Sequence, residues 1–364
     1  MKIRLALYIP RPNYGGVTKV LLNLAKGLSE KIDVVVVTYK GCSLDALALS
    51  DKSELQYIEL PTSSALISVF SLGYLVRKKK ITHVITASPV TNCVSVLSKK
   101  IFLNNAKVII TEHTMVSVEA RFKGGKVYKF LPFLMSLLYP KADKILAISK
   151  GIKNDLIDYA KINHKRIVVL NNAVLDKDFS VKKKELVHHH FFETNEKVIV
   201  FVGRFESVKN PLLLVSAFDI LVEKLDARLI FIGDGPLEQD AKKYVSDLNL
   251  SDKVSFLGYV KNPIPYIFRS DLLALTSRWE GMPGVMIEAL ACETPMVATD
   301  CAPGVKEIFE KNTYGKIVPN YDPNAFADAL YEVLSEEVDL DDMQVRANDF
   351  TSRHVVKQYL KLLV

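Results

Sequence analysis

The feature that most constrains this chain is an alternation. Short runs of apolar, β-branched residues recur along the sequence, and segments with helical spacing separate them. In the first half the runs are 3–9 (IRLALYI), 32–38 (IDVVVVT), 83–87 (HVITA), 107–112 (KVIITE), 144–148 (KILAI) and 166–170 (RIVVL). In the second half they are 197–202 (KVIVFV), 228–232 (RLIFI), 253–257 (KVSFL), 271–275 (DLLAL) and 295–298 (PMVA). A strand with one wet face alternates apolar and polar residues. These runs are nearly continuous in hydrophobicity, so they read as strands buried on both faces. Helical spacing is clearest at 17–30, 149–160, 211–224, 236–248, 284–292, 323–334 and 342–363. Buried strands interleaved with helices predict parallel sheets covered on both sides, an α/β class, and two such sets predict two doubly wound domains. The boundaries read as 1–178 and 179–345, with a terminal helix over 346–364, and a length of 364 residues agrees with two domains.

The segment 176–196 reads as the link. It carries Lys182, Lys183 and Lys184 and then His188, His189 and His190. Adjacent histidines rarely converge on one ion, so the linker reading is preferred to a metal site. The four cysteines are scattered without a CxxC and read as buried thiols of a cytosolic protein. The start of the chain shows neither the apolar core nor the small-residue cleavage site of an export signal. The longest apolar stretch, 130–140 (FLPFLMSLLYP), is shorter than the ~20 residues that span a bilayer. The net charge of +7 conceals +16 on residues 1–185 and −9 on 186–364. Such a basic half suits nucleic acid, anionic lipid or an anionic substrate, or is a solvated surface.

In open parallel sheets, ligands sit beyond the carboxyl ends of the strands, so the loops there carry the chemistry. After the first run comes Pro10-Arg11-Pro12-Asn13-Tyr14-Gly15-Gly16. This glycine pair opens a helix, yet matches neither the GxGxxG fingerprint nor a P-loop. A pyridine-nucleotide oxidoreductase is thereby disfavoured. After KVIVFV comes Gly203-Arg204-Phe205-Glu206-Ser207-Val208-Lys209. Its Arg fork and Lys point charge can converge on a diphosphate, or be two solvated cations. Gly233-Asp234-Gly235-Pro236 reads as a tight turn before a helix. Thr276 to Ala291 is the most informative stretch: a loop with Glu280, Gly281, Met282 and Pro283, then a helix from Gly284 and Val285 that carries Glu288. Exposed amides at such a helix start bind anionic or hydroxyl oxygens. Glu288 lies in an apolar helix and needs a hydrogen-bonding partner there. Thr111-Glu112-His113-Thr114 ends a strand of the first half, and its His is either a structural residue or a ligand contact.

Together these loops resemble the family 4 retaining glycosyltransferases of the GT-B fold, in their form from bacterial surface-polysaccharide synthesis. The matching pieces are Gly15-Gly16, Glu112-His113, GRFESVK at 203–209, GDGP at 233–236, and Glu280-x7-Glu288 followed by PMVATDCAPGVKEIF. The order and spacing match over nearly the whole chain. The resemblance implies two Rossmann-like domains facing a cleft, an acceptor-binding first domain, a nucleotide-sugar-binding second domain, and a C-terminal helix crossing back to the first. It assigns the departing diphosphate to Arg204 and Lys209, and the ribose hydroxyls to Glu288. The transferred sugar falls to Glu280, the amides of Gly281 to Val285, and His113. Gly16 would allow close approach to the diphosphate, with Gly15, Gly203 and Gly233 in the same donor loops, and the backbone at Gly258-Tyr259 would seat the base. It implies retention, no metal and no cofactor; the DxD triplet Asp176-Lys177-Asp178 lies in the linker.

The expected activity is transfer of a hexose or N-acetylhexosamine, from a donor expected to be UDP-linked, to a saccharide or lipid-linked acceptor. No nucleic-acid partner is expected. Two alternatives remain at this point: a nucleotide-sugar epimerase or hydrolase on the same fold, and a non-catalytic sugar-binding protein. Two stretches place cations next to apolar residues: 65–80 (ALISVFSLGYLVRKKK), and 121–144, with Arg121, Lys123, Lys126 and Lys129 before FLPFLMSLLYP and Lys141 and Lys144 after it. They predict either a peripheral attachment to an anionic membrane at its inner face or ordinary core-facing helices with solvated lysines.

Overall fold

A computed structural model describes residues 2–12, 15–42, 55–102, 105–123, 125–310, 314–319, 321–336, 338 and 340–363. The chain divides into two units, Met1–Asp176 with Phe350–Val364, and Lys177–Asp349.

The first unit is a seven-stranded parallel sheet. Its strands are β1 (Arg4–Tyr8), β2 (Asp33–Tyr39), β3 (Gln56–Leu60), β4 (His83–Ala87), β5 (Lys107–Glu112), β6 (Lys144–Ala147) and β7 (Ile167–Val169), in the order β3-β2-β1-β4-β5-β6-β7. The helices between them are α1 (Gly16–Ser29), α2 (Ala65–Lys78), α3 (Pro89–Phe102), α4 (Val116–Lys123), α5 (Gly125–Leu138) and α6 (Lys150–Asp158). The chain steps one way along the sheet from β1 to β2 and the other way from β4 to β5. Right-handed crossovers therefore place α1 on one face and α2, α3 and α5 on the other. The core on the α1 face joins Leu5, Leu7, Leu21, Leu24 and Val36 with Val355, Val356 and Tyr359 of the terminal segment.

The second unit begins with α7 (Phe179–Lys183) and holds a six-stranded parallel sheet. Its elements are β8 (Lys197–Val202), α8 (Pro211–Val222), β9 (Ala227–Ile232), α9 (Glu238–Asp247), β10 (Val254–Phe256), α10 (Ile264–Arg269), β11 (Leu272–Leu275), α11 (Gly284–Cys292), β12 (Met296–Thr299), α12 (Pro303–Phe309), β13 (Gly315–Val318), α13 (Pro323–Ser335) and α14 (Met343–Asn348). The order is β10-β9-β8-β11-β12-β13. Its core is apolar throughout, with Phe201, Phe205, Phe218, Phe231 and Phe326 fully buried. In both sheets the order reverses beside the first strand, between β1 and β4 and between β8 and β11. There, successive crossovers leave in opposite directions, and a crevice opens at the carboxyl ends.

The structure departs from the sequence reading in three places. β3 and β13 were not among the apolar runs. Both are edge strands; QYIEL is largely exposed or half-buried and GKIV is short, so neither carries the doubly buried pattern. The 176–196 segment is no free link. α7 belongs to the second unit, Lys183 Nζ donates to the Ala291 carbonyl at 3.1 Å, and His189 Nε2 lies 3.0 Å from Ser255 Oγ. The terminal helix is broken in two. α14 packs on α11 within the second unit. The chain then re-enters the first unit at Phe350, whose carbonyl accepts from Val174 and Leu175, and α15 (Ser352–Leu363) packs on α1. Residues 346–349 thus belong to the second unit. Close packing on α1 is permitted by Gly27, where a Cβ would stand 2.6 Å from Val356.

Candidate active site

The crevice of the second unit is framed by the loop leaving β8 and the loop leaving β11. The first loop is held down by its middle residue. Phe205 is fully buried, with ring centroids 6.0, 5.4 and 5.9 Å from Phe201, Phe231 and Phe256. Its backbone is fixed as well: its N–H donates to Asp234 at 2.7 Å and its carbonyl accepts from Leu237 at 2.9 Å. Asn210 ends the loop in the left-handed region (φ 50°), which Asn tolerates, and Pro211 opens α8. With Phe205 turned inward, the two cations on either side are free to turn outward.

They go to different carboxylates. Lys209 Nζ pairs with Glu280 Oε1, across the crevice from one loop to the other. Ser277 Oγ donates to the same oxygen at 2.7 Å. The side chains of Lys209 and Glu280 are only 26% and 14% exposed, so the pair is poorly screened. The loops are also joined through their backbones. Arg278 N–H donates to the Val208 carbonyl at 2.7 Å, and Thr276 Oγ1 donates to the Lys209 carbonyl at 3.0 Å. From behind, Thr299 Oγ1 holds the Ser277 carbonyl at 2.6 Å and the Tyr321 hydroxyl holds the Arg278 carbonyl at 2.8 Å. Lys209 and Glu280 are therefore preset by a bonded scaffold. Arg204, in contrast, is largely exposed and pairs with Glu206 at 3.0 Å.

The β11 loop runs through Gly281, Met282 and Pro283 into α11. Pro283, at the cap position, makes no side-chain capping bond. Glu288 is buried one turn inside, among Met286, Ile287, Ala289 and Leu290. Gly304, at the start of α12, is a residue the sequence reading did not single out: a Cβ there would fall 2.2 Å from the Gly281 carbonyl. It lets α12 support the loop directly. Gly233 is also demanded by packing. At φ +134° its Cβ would lie 2.0 Å from the Gly203 carbonyl, and its N–H donates to Gly258 at 2.8 Å. Gly258 itself has φ +66°, and Tyr259 beside it is half-exposed. Among the described residues, no group of three or more His, Cys, Asp or Glu is arranged to hold a metal ion. The Cys292 and Cys301 thiols are pushed up to about 12 by burial, so neither is a ready thiolate.

In the first unit the corresponding strand ends are dry. His113 follows β5, is buried, and has Nε2 2.9 Å from Thr111 Oγ1. Thr111 already donates its one hydroxyl proton to the Thr86 carbonyl at 2.9 Å. Its oxygen must then accept from His113, which fixes the Nε2–H tautomer and leaves Nδ1 as an acceptor. Nδ1 is buried and has no hydrogen-bond partner among the described residues. Burial pushes the imidazole down to about 4, so it is neutral at pH 7. Next to it, Glu112 is fully buried; its Oε1 accepts from Asn92 at 2.7 Å and from the Tyr139 hydroxyl. Burial pushes this carboxyl up to about 8, and Glu119 and Asp155 add to the effect. Asn92 also donates to the Thr111 carbonyl at 3.0 Å, tying α3 to the strand end. Asn92, Tyr139 and Thr86 carried no signal in the sequence, since each is an ordinary polar residue inside an apolar stretch.

At α1, Gly15 caps the helix, and a Cβ on Gly16 would meet no atom of the described residues within 4 Å. Packing among the described residues therefore does not demand glycine at 16, unlike at 233. Asn13 and Tyr14 lie outside the described residues.

Comparison with known proteins agrees with this division. The family model described as Glycosyltransferase Family 4 matches residues 14–176, and that described as Glycosyl transferases group 1 matches 182–350. A Campylobacter jejuni N-acetylgalactosamine-N,N'-diacetylbacillosaminyl-diphospho-undecaprenol 4-alpha-N-acetylgalactosaminyltransferase is 29% identical, with 99% of each chain covered. An Escherichia coli UDP-Gal:alpha-D-GlcNAc-diphosphoundecaprenol alpha-1,3-galactosyltransferase is 27% identical over 74% of this chain and 71% of its own. A solved glycosyltransferase from Rickettsia africae superposes with a TM-score of 0.82 at 20% identity, covering 100% of this chain and 98% of that one. The two Rossmann-like units are those of the GT-B fold. With one family model on each unit, together spanning most of the chain, the protein belongs to the family 4 glycosyltransferases.

Proposed function

We propose that this glycosyltransferase moves a hexose or N-acetylhexosamine, with retention and without a metal, from a UDP-sugar to a lipid-linked saccharide acceptor. The observation that carries the reading is the Lys209–Glu280 pair at the switch point of the second sheet, where a nucleotide-binding crevice is expected. The acceptor class is supported by the two undecaprenol-linked relatives, and UDP by the name of the E. coli one. Such an acceptor would keep the enzyme peripheral, at the inner face of the membrane.

In this reading Arg204 and Lys209 stabilise charge as it develops on the departing diphosphate, the work a metal does in other transferases. Glu288 accepts the ribose hydroxyls. Glu280 and the amides of Gly281 to Val285, with Met282 and Pro283 shaping the turn, hold the sugar. Gly15 and Gly16 leave room for a close backbone approach to the diphosphate, Gly203, Gly233 and Gly258 shape the donor loops, and Tyr259 flanks the base. His113 accepts a sugar hydroxyl at Nδ1. The bond from the anomeric carbon to the phosphate oxygen breaks, and the acceptor oxygen bonds to that carbon on the same face. The acceptor proton passes to the departing phosphate oxygen.

A thermal-shift panel of UDP-, GDP-, ADP- and dTDP-sugars tests the donor. A ligand that binds only the folded state raises its stability, by about 2.7 kcal/mol at a hundred times its dissociation constant. A shift with UDP-sugars alone is expected, and a shift confined to another nucleotide would replace the donor assignment. Transfer is expected to survive EDTA; loss with rescue by Mn²⁺ would overturn the metal-independent reading.

A further inference from the structure

The basic half of the charge split has a structural counterpart. On one face of the first sheet, α3 packs against both α2 and α5 and is buried along most of its length. Gly73 lets α2 close on α3, since a Cβ there would stand 2.2 Å from the Phe102 ring. The outward faces of the two flanking helices are apolar and uncovered. On α2, Leu66, Ile67, Phe70 and Tyr74 are 81%, 56%, 57% and 60% exposed. On α5, Phe130, Phe133, Leu134 and Leu137 are 67%, 67%, 41% and 49% exposed, at the spacing of a single helical stripe. Isolated exposed apolar residues are ordinary, but two parallel rows rich in aromatic residues mark an interaction surface.

The charge carried along these three helices has one sign. No Asp or Glu occurs from Pro61 to Thr111, nor from Ala120 to Ala142. Arg77, Lys78, Lys79 and Lys80 are exposed at the end of α2, Lys100 near the end of α3, and Lys129 and Lys141 within and after α5. The side chains of Lys123 and Lys126 lie outside the described ones. Asp143, the first carboxylate beyond α5, is paired with Lys99 at 2.6 Å. Lys78 Nζ lies 5.5 Å from the centre of the Tyr74 ring, so cation and aromatic share one patch. Among the described residues no helix is long and apolar enough to cross a membrane. A soluble anion would leave the apolar rows in water. A second copy meeting the same face would set cations against cations.

We propose that the α2–α5 face docks on an anionic lipid bilayer, with Phe70, Tyr74, Phe130, Phe133 and Leu137 in the headgroup boundary and the lysines on lipid phosphates. This names the surface for the peripheral location in the proposed function, and rests on that reading only for the use such attachment would have. Co-sedimentation of the whole chain with phosphatidylglycerol-containing vesicles tests it. The protein is expected to pellet with them at low salt, to stay in solution with phosphatidylcholine alone, and to be released in part as salt rises. Lys78→Glu with Lys79→Glu and Lys80→Glu should weaken binding about tenfold or more, as should Phe133→Ser with Leu137→Ser, while the UDP-sugar thermal shift of both variants stays at the wild-type value. Undiminished vesicle binding by both variants, or a protein left in the supernatant at low salt, overturns the proposal. So does concentration-dependent self-association without vesicles that Phe133→Ser with Leu137→Ser removes, because the face would then belong to a second copy. Vesicle binding without any nucleotide-sugar shift would leave this surface standing and sink the donor reading instead.

Discussion

The two units share one topology and treat their strand ends in opposite ways. In the second, the crevice beside β8 holds a charged, partly solvated pair, Lys209 and Glu280, fixed by backbone bonds between two loops. In the first, the end of β5 holds Glu112 and His113 fully dry, with burial pushing the acid up and the base down. Both therefore lose their charge near neutrality. A doubly wound sheet selects the place where side chains converge. Whether they converge as ions or as neutral hydrogen-bonding groups is set by how much water the local packing leaves. A leaving diphosphate calls for the first kind of site, while a sugar hydroxyl can be met by the second.

The largest expected effect tests how the charged site is held. Phe205→Ala removes the ring that anchors the β8 loop in an aromatic cluster, and should destabilise the second unit by about 3–5 kcal/mol. The check is its thermal unfolding midpoint. An unchanged midpoint would mean that the loop is held by its backbone bonds alone. Next comes the charge itself. Lys209→Ala should lower turnover by about 10²–10³, or roughly 2.7–4 kcal/mol of barrier, as for a lost preorganised donor. Because Lys209 and Glu280 are bonded, Glu280→Gln on top of it should cost less than it does in wild type. Strictly additive losses would show two independent groups. Smaller again is Glu288→Gln, expected to weaken donor binding by about 1.5–3 kcal/mol, with a 2′-deoxyribose donor then losing less further affinity than in wild type. Equal losses in both proteins would make Glu288 structural.

How much of this was legible depended on where each residue's signal lay. The buried strands announced themselves because hydrophobicity on both faces leaves an unbroken run, as in 34–37 or 198–202. β3, with Gln56 and Glu59, could not, because an edge strand needs no such run. The loop cations and carboxylates were found because charged residues after a strand stand out. Their pairing was not: nothing local in GRFESVK says that Lys209 crosses to Glu280 while Arg204 stays with Glu206. Asn92 and Tyr139 were invisible for a similar reason. Their role exists only where α3 and the segment after α5 meet β5, and that meeting is tertiary.

The smallest effect probes the dry site. Glu112 binds its proton more tightly when folded, since its carboxyl rises from 4.5 to about 8. Between those values the unfolded chain has lost the proton that the folded chain keeps. Stability therefore falls as pH rises towards 8, and the contribution is fully present only below the unfolded value. His113 works the other way. With its imidazole lowered from 6.5 to about 4, it contributes stability present above 6.5 and lost as pH falls towards 4. The two oppose each other at mildly acidic pH, so the Glu112 contribution stands clear only between about 6.5 and 8. Over that window it amounts to at most about 2 kcal/mol. Glu112→Gln keeps the shape of the side chain, cannot ionise, and should flatten the fall in the first unit's unfolding midpoint from pH 6.5 to 8. A wild-type profile already flat there, or an equal slope in the variant, would mean that water reaches Glu112 and that the contrast between the two units is smaller than their burial implies.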